Sequence, residues 1–348
     1  MSWVQQPVNL SVSSTNRSRP FYNHRMSLNP IQSDAMRIVF MGTPHFAIPV
    51  LDALAASEAL QVCGVFAPPD NPGGRGRQVI PPPVKLRALE LGLAVHQPPT
   101  LRSKEAQALL SELRPDIIVV AAYGRFLPSP VLELPTYGCL NLHPSLLPRH
   151  RGPSPVVTTI LEGDLTTGVS LMLLDEGMDT GPVIARQVHS LTGRETAEGL
   201  TKELFRLGSL LLLDKLGPWT RSEITAKPQN DGQATVTRKV QREDGRADWS
   251  LSSEDLERRS RAYALWPGLH CQWDGKLLKF LDVTVLDPQP DTGLPAGSVI
   301  QVTGPDPLGV VTREGILGLT TVQLEGRKSA TATEFLRGYP RFVGALLE

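Results

Sequence analysis

The 348-residue sequence has few cysteines, no excess charge of either sign and no long apolar stretch. Cys63, Cys139 and Cys271 form no CxxC pair and have no histidine at metal-ligand spacing. That excludes a disulfide framework and a zinc knuckle, and reads as buried thiols in a reducing compartment, with no metal expected. The longest apolar runs, Ile117 to Ala122 and Leu210 to Leu213, fall far short of the ~18 residues a membrane span needs. A soluble chain with no membrane partner follows. Lys and Arg total 35, as do Asp and Glu, so bulk charge predicts no nucleic-acid partner. Gly 30 and Pro 31 are high counts, yet below the level of low-complexity chains, which excludes collagen and disorder.

Residues 1–35 stand apart. Arg17, Arg19 and Arg25 lie among Ser, Asn and Pro, with no apolar core for a secretory signal and no amphipathic helix. A transit peptide, a disordered extension and a misassigned upstream start stay open, the last because Met36 immediately precedes a strand pattern.

From Met36 strand and helix alternate. Arg37 to Met41, Gln61 to Phe66, Asp116 to Ala122, Cys139 to His143 and Val169 to Leu174 read as strands. Helices are expected from Thr43 to Ala56, Val84 to Leu91 and Lys104 to Leu113, after Arg151, and from Thr196 to Leu216. This rhythm predicts a Rossmann-like, doubly wound, mostly parallel α/β sheet over 36–221, with its site at the carboxyl ends of the strands. The polar stretch from Lys227 to Gln233 suits a linker, set at 222–240. Short strands at 8–12-residue spacing in 241–348 suggest a small OB-like β-barrel. Trp249 and Trp266 are expected in its core. That half holds twelve basic and fifteen acidic residues, so any RNA contact there must be local.

The densest chemistry lies in Cys139 to Gly152. Asn141 and His143 are two apart at a strand end, so both side chains fall on one face. The turn from Leu174 to Gly181 holds Asp175 and Asp179, either of which is a candidate partner for the imidazole. Asn, His and Asp without a Ser or Cys nucleophile point to direct transfer through a tetrahedral intermediate. Asn141 and protonated His143 would stabilise the oxyanion while a carboxylate moves the proton.

Three motifs taken together resemble the folate-dependent formyltransferases, most closely their tRNA-acting branch. They are the Asn-x-His strand end, Ser145 to Pro148 followed by Arg149-x-Arg151-Gly152, and the D-x-G-x-D-T-G turn. The resemblance covers about Met36 to the end. It implies the formyltransferase fold, Asn141, His143 and Asp179 as catalytic residues, and Ser145, Leu146, Leu147 and Pro148 as a folate-contacting segment. It also implies Asp175 and Met178 beside the pterin, and 10-formyltetrahydrofolate as the formyl donor.

The acceptor implied is the α-amino group of methionyl-initiator tRNA. Arg75, Arg77, Lys85 and Arg87 lie in a Gly/Arg-rich window without an acid, and resemble the loop that meets the acceptor stem. A cytoplasmic monomer is expected. The competing acceptors are an amino sugar nucleotide, another small amine, and water in a formyltetrahydrofolate hydrolase. No GxGxxG follows the first strand, which argues against a nicotinamide site.

Overall fold

The computed structural model describes residues 35–73, 78–286, 293–303 and 307–347. The expectations for residues 1–34, Arg75 and Arg77 lie outside the described residues. β1 (Met36–Gly42) and β2 (Leu60–Phe66) open the chain, and β3 (Asn71–Gly73) with β4 (Gln78–Ile80) forms a separate hairpin. β5 (Val95–His96), β6 (Ile117–Ala121), β7 (Cys139–His143), β8 (Thr166–Leu173) and β9 (Val183–Ser190) complete a seven-stranded sheet. Its order is β5-β2-β1-β6-β7-β8-β9, parallel through β7, with β8 and β9 antiparallel.

Helices α1 (Ile48–Ala55), α2 (Pro83–Glu90), α3 (Lys104–Leu113), α4 (Ser129–Leu132), α5 (Pro155–Leu161) and α6 (Ala197–Thr220) flank that sheet. The continuous apolar runs of β1 and β6 divide by parity, because successive side chains in a strand point to opposite faces. Ile38, Phe40, Ile117 and Val119 pack with Leu51 of α1 and Leu212 of α6. Val39, Met41, Ile118 and Val120 pack with Leu110 of α3 and Val131 of α4. Cys139 belongs to the second set, so Asn141 and His143, two and four residues on, share that face at the carboxyl end of β7.

The second lobe holds β10 (Leu269–Trp273), β11 (Lys276–Val285), β12 (Val299–Gln301), β13 (Leu308–Val311) and β14 (Ile316–Leu324). They form a curled antiparallel half-barrel in the order β10-β11-β14-β13-β12, with β15 (Ala330–Thr331) against β14. Helix α7 (Ser253–Ala262) bridges the lobes: Ala262 and the adjoining Tyr263 are buried against Val156 and Ile160 of α5 and Leu204 of α6. Helix α8 (Ala332–Gly338) closes the half-barrel with Phe335 in its core.

Trp249 is 7% exposed and meets Phe280 edge-on, as a core aromatic should. Trp266 departs from expectation, at 53% exposure beside Leu265. Tyr263 takes the buried place at the end of α7, which leaves Leu265 and Trp266 on the outer side of the turn.

Candidate active site

β7 delivers Asn141 and His143 to the edge of the sheet, both buried. The Asn141 amide has no hydrogen-bond partner among the described residues, although it stands 9% exposed at a strand end. Its polar atoms are not among the fully buried ones left without a partner, so they keep access to solvent and are free to meet a ligand oxygen or nitrogen.

His143 is held from both sides. Its Nε2 lies 2.8 Å from the His150 carbonyl, which can only accept, so Nε2 carries a proton. Its Nδ1 faces Oδ1 of Asp179 at 3.5 Å. The choice between the two acids of the turn is therefore decided. Asp175 is exposed and spends its carboxylate on the Thr180 hydroxyl at 2.8 Å and the Gly177 N–H at 3.1 Å, which shapes the turn. Asp179 Oδ2 accepts the Gly152 N–H at 2.8 Å, tying the acidic turn to the segment after β7.

The two residues that flank the His143 ring both have unusual backbone. His150 has φ 59° and Asp179 has φ 55°, the left-handed region that non-glycine residues seldom occupy. Gly152 adopts φ +98°, and a Cβ there would meet the Thr237 carbonyl oxygen at 2.8 Å. Only glycine lets the two stretches approach so closely.

The Ser145–Pro148 segment divides. Ser145 is fully buried, its hydroxyl donating to the Arg149 carbonyl at 2.7 Å and its carbonyl accepting from the Ser170 hydroxyl at 2.7 Å. Leu147 is 1% exposed and packs with Met172 and Val183. These two side chains hold the loop in shape and face inward. Leu146 and Pro148 are half-buried, and Met178 is 46% exposed in the acidic turn.

Of the four cations read as RNA contacts, the two described ones lie beyond the hairpin, on α2, and are paired. Lys85 bonds Asp70 at 2.6 Å; Arg87 bonds Asp52 at 2.7 Å and Glu90 at 2.9 Å. Hydrogen bonds from Gln97 and then Lys85 hold the Asp70 carboxyl below its ordinary range. The acids that neutralise these cations lie outside the window, Asp70 and Glu90 close to its ends and Asp52 well before it.

The chain between the lobes, read from the sequence as a linker at 222–240, is laid across the site. The Thr235 hydroxyl accepts the His150 N–H at 2.8 Å, and Arg151 and Val236 pair as a parallel bridge. Thr237 N–H donates to the Arg151 carbonyl at 2.7 Å. Gln229 Nε2 donates to the carbonyls of Asp179 at 2.8 Å and Gly181 at 2.7 Å, while its Oε1 accepts from Arg151 Nε at 3.0 Å.

The loop following β6 was also missed. Its Tyr123 carbonyl accepts the Thr43 hydroxyl at 2.9 Å, and Phe126 stands 62% exposed. Glu176 accepts from the Ser129 hydroxyl, joining the acidic turn to α4. The signal available in the sequence was position alone: this loop ends a central strand at the carboxyl edge. Among the described residues, His150, Glu162 and Asp164 have their side chains grouped as metal ligands would be. Arg149 already bonds both carboxylates, at 2.7 and 2.6 Å.

Residues 36–216 match the formyl transferase family model, and residues 239–340 match its C-terminal domain model. The chain belongs to the formyl transferase family. It is 44% identical over 317 residues to a methionyl-tRNA formyltransferase of Dehalococcoides mccartyi, covering 90% of this chain and 98% of that one. It is likewise 44% identical over 303 residues to one from Chloroflexus aggregans, covering 87% and 97%. A solved methionyl-tRNA formyltransferase from Clostridium thermocellum shares the fold, with TM-score 0.52, 18% identity, and coverage of 73% and 95%. In this formyl transferase, no helix among the described residues is long and apolar enough to cross a membrane.

Proposed function

We propose that this formyl transferase moves the formyl group of 10-formyltetrahydrofolate to the α-amino group of methionyl-initiator tRNA. The acceptor assignment is supported by the 44% identity to methionyl-tRNA formyltransferases across nearly their whole length. The chemistry is carried by one observation: an unpartnered Asn141 amide beside a His143 imidazole that is flanked by a proton-accepting carbonyl and by the Asp179 carboxylate.

The donor supplies an activated formyl carbon. Asn141 donates a hydrogen bond to the oxygen that becomes negative when the amine attacks, a contact worth about 10²–10³ in rate for donors of this kind. His143 has both ring nitrogens directed at the protein, so it acts on the oxyanion through its positive charge when protonated. Asp179 takes the proton released by the amine as the new C–N bond forms, and returns it to the folate nitrogen as the old C–N bond breaks. Nδ1 of His143 faces Asp179 at 3.5 Å, so the carboxylate also orients the ring.

Leu146, Pro148, Asp175 and Met178 are the residues of the two motifs that remain exposed enough to border the donor. Arg75 and Arg77, between β3 and β4, are assigned to the tRNA phosphates, with Lys85 and Arg87 in supporting positions. The reading includes a cytoplasmic enzyme acting as a monomer. Burial pushes the Cys139 and Cys271 thiols up to about 12, the behaviour of inert core thiols that a reducing compartment leaves free.

An acceptor screen with labelled donor tests the proposal, offering methionyl-initiator tRNA, methionyl-elongator tRNA and UDP-amino sugars. Label on the initiator tRNA is expected. Label only on a sugar would overturn the acceptor, and a full-rate Asn141→Ala variant would overturn the chemistry.

A further inference from the structure

The two groups that flank His143 come from residues in strained backbone, and one segment pins both. His150 gives its carbonyl to Nε2 and Asp179 gives its carboxylate to Nδ1; both are left-handed without being glycine. A conformation of this kind costs on the order of 1–3 kcal/mol and persists only where the surroundings hold it. Thr235 holds the first through the His150 N–H, and Gln229 holds the second through the Asp179 carbonyl.

The Gln229 contacts leave no ambiguity in its orientation. Its nitrogen has two carbonyl partners and its oxygen has a guanidinium, so its listening groups are matched donor to acceptor. Arg151 itself is buried and extends the network to Asp231 at 2.8 Å. Neither Gln229 nor Thr235 belongs to the buried core, so their bonds contribute geometry at the site more than they contribute to folding.

We propose that Gln229 and Thr235 are positioning residues, and that the stretch from Lys227 to Thr237 is a strap that sets the orientation and tautomer of the His143 ring. The inference rests on His143 being catalytic. Loss of either strap contact lets one left-handed residue relax toward ordinary backbone, and the ring then loses one flanking group. Misplacement on the scale of 1 Å is enough to cost about 100-fold in turnover.

The test uses the full-length protein with Thr235→Val, Thr235→Ser and Gln229→Met. Thr235→Val and Gln229→Met are expected to lower kcat by about 10–100-fold with donor KM within about twofold. Thr235→Ser, which keeps the hydroxyl, is expected to restore most of kcat. Nitrogen NMR of the ring, measured without turnover, should show the Nε2-protonated signature of His143 in wild type and in Thr235→Ser, and a changed signature in Thr235→Val. Wild-type kcat together with an unchanged ring signature in the Val and Met variants would overturn the strap. A His143→Ala variant at full activity would instead overturn the catalytic assignment beneath it, so the two failures are told apart.

Discussion

Nδ1 of His143 lies 3.5 Å from Oδ1 of Asp179 while Nε2 is already bonded to the His150 carbonyl. The separation is long for a hydrogen bond, as catalytic pairs often are before substrate is in place. The imidazole is thereby held between a carbonyl and a carboxylate, with its orientation fixed from both sides. His143→Ala and Asp179→Asn are each expected to lower kcat by about 10²–10⁴-fold, with donor binding still measurable by fluorescence or calorimetry. Because the two act as a pair, the double variant should cost far less than the product of the single losses. Strictly multiplicative losses would contradict the pairing.

The motif segment makes a second, sharper prediction, because two of its side chains face inward. Leu147→Ala removes a core side chain packed with Met172 and Val183, and should lower stability by about 2–5 kcal/mol in denaturant titrations. Donor KM, measured where the variant is folded, should stay within about threefold of wild type. A large rise in KM with unchanged stability would return Leu147 to the ligand.

Charge pairing predicts how the cations divide. Lys85 and Arg87 are held by Asp70, Asp52 and Glu90, so Lys85→Ala should alter tRNA affinity by less than about threefold. Arg75→Ala and Arg77→Ala should each weaken binding and reduce the salt slope by about one unit. Filter binding across a salt series reads both. A balanced total charge also predicts a shallow slope for the wild type, and a slope equivalent to ten phosphate contacts would contradict it.

Acid stability has a predictable contributor in Glu195. Partial burial pushes its carboxyl up, yet hydrogen bonds from the Thr192 N–H and hydroxyl and the Gly193 N–H outweigh that and bring it down to about 2. A folded value below the unfolded one means that its stabilisation is complete above about 4.5 and is lost as pH falls toward 2. Glu195→Gln should therefore narrow the stability difference between pH 7 and pH 3, followed by urea titration at each pH. An unchanged acid limb in that variant would remove Glu195 from the account.

The elements with a repeating physical signal were legible in advance. The run from Ile117 to Ala121 reads as a strand because both its faces are covered, and Asn141 with His143 reads as a pair because the strand period is two. What lacked a period was not legible. Asp175 and Asp179 are equivalent as letters in a turn, and only the folded path brings Asp179 to the ring. The strap was invisible for the same reason: Gln229 and Thr235 are polar residues in a turn-rich stretch, and their partners lie 50 and 85 residues away. Trp266 was misplaced because an aromatic after a helix carries no sign of which side of the turn it takes. The pairing of Lys85 and Arg87 escaped a windowed charge count because their acids sit outside the window.

The central claim is transfer of formyl from 10-formyltetrahydrofolate to methionyl-initiator tRNA through the Asn141, His143 and Asp179 site. Its most direct test is single-turnover transfer of labelled formyl to methionyl-initiator tRNA, with wild type and His143→Ala side by side. Formylmethionyl-tRNA should form rapidly with the wild type and about 10²–10⁴-fold more slowly with the variant. Equal rates for the two proteins, or no label on the tRNA from either, would contradict it.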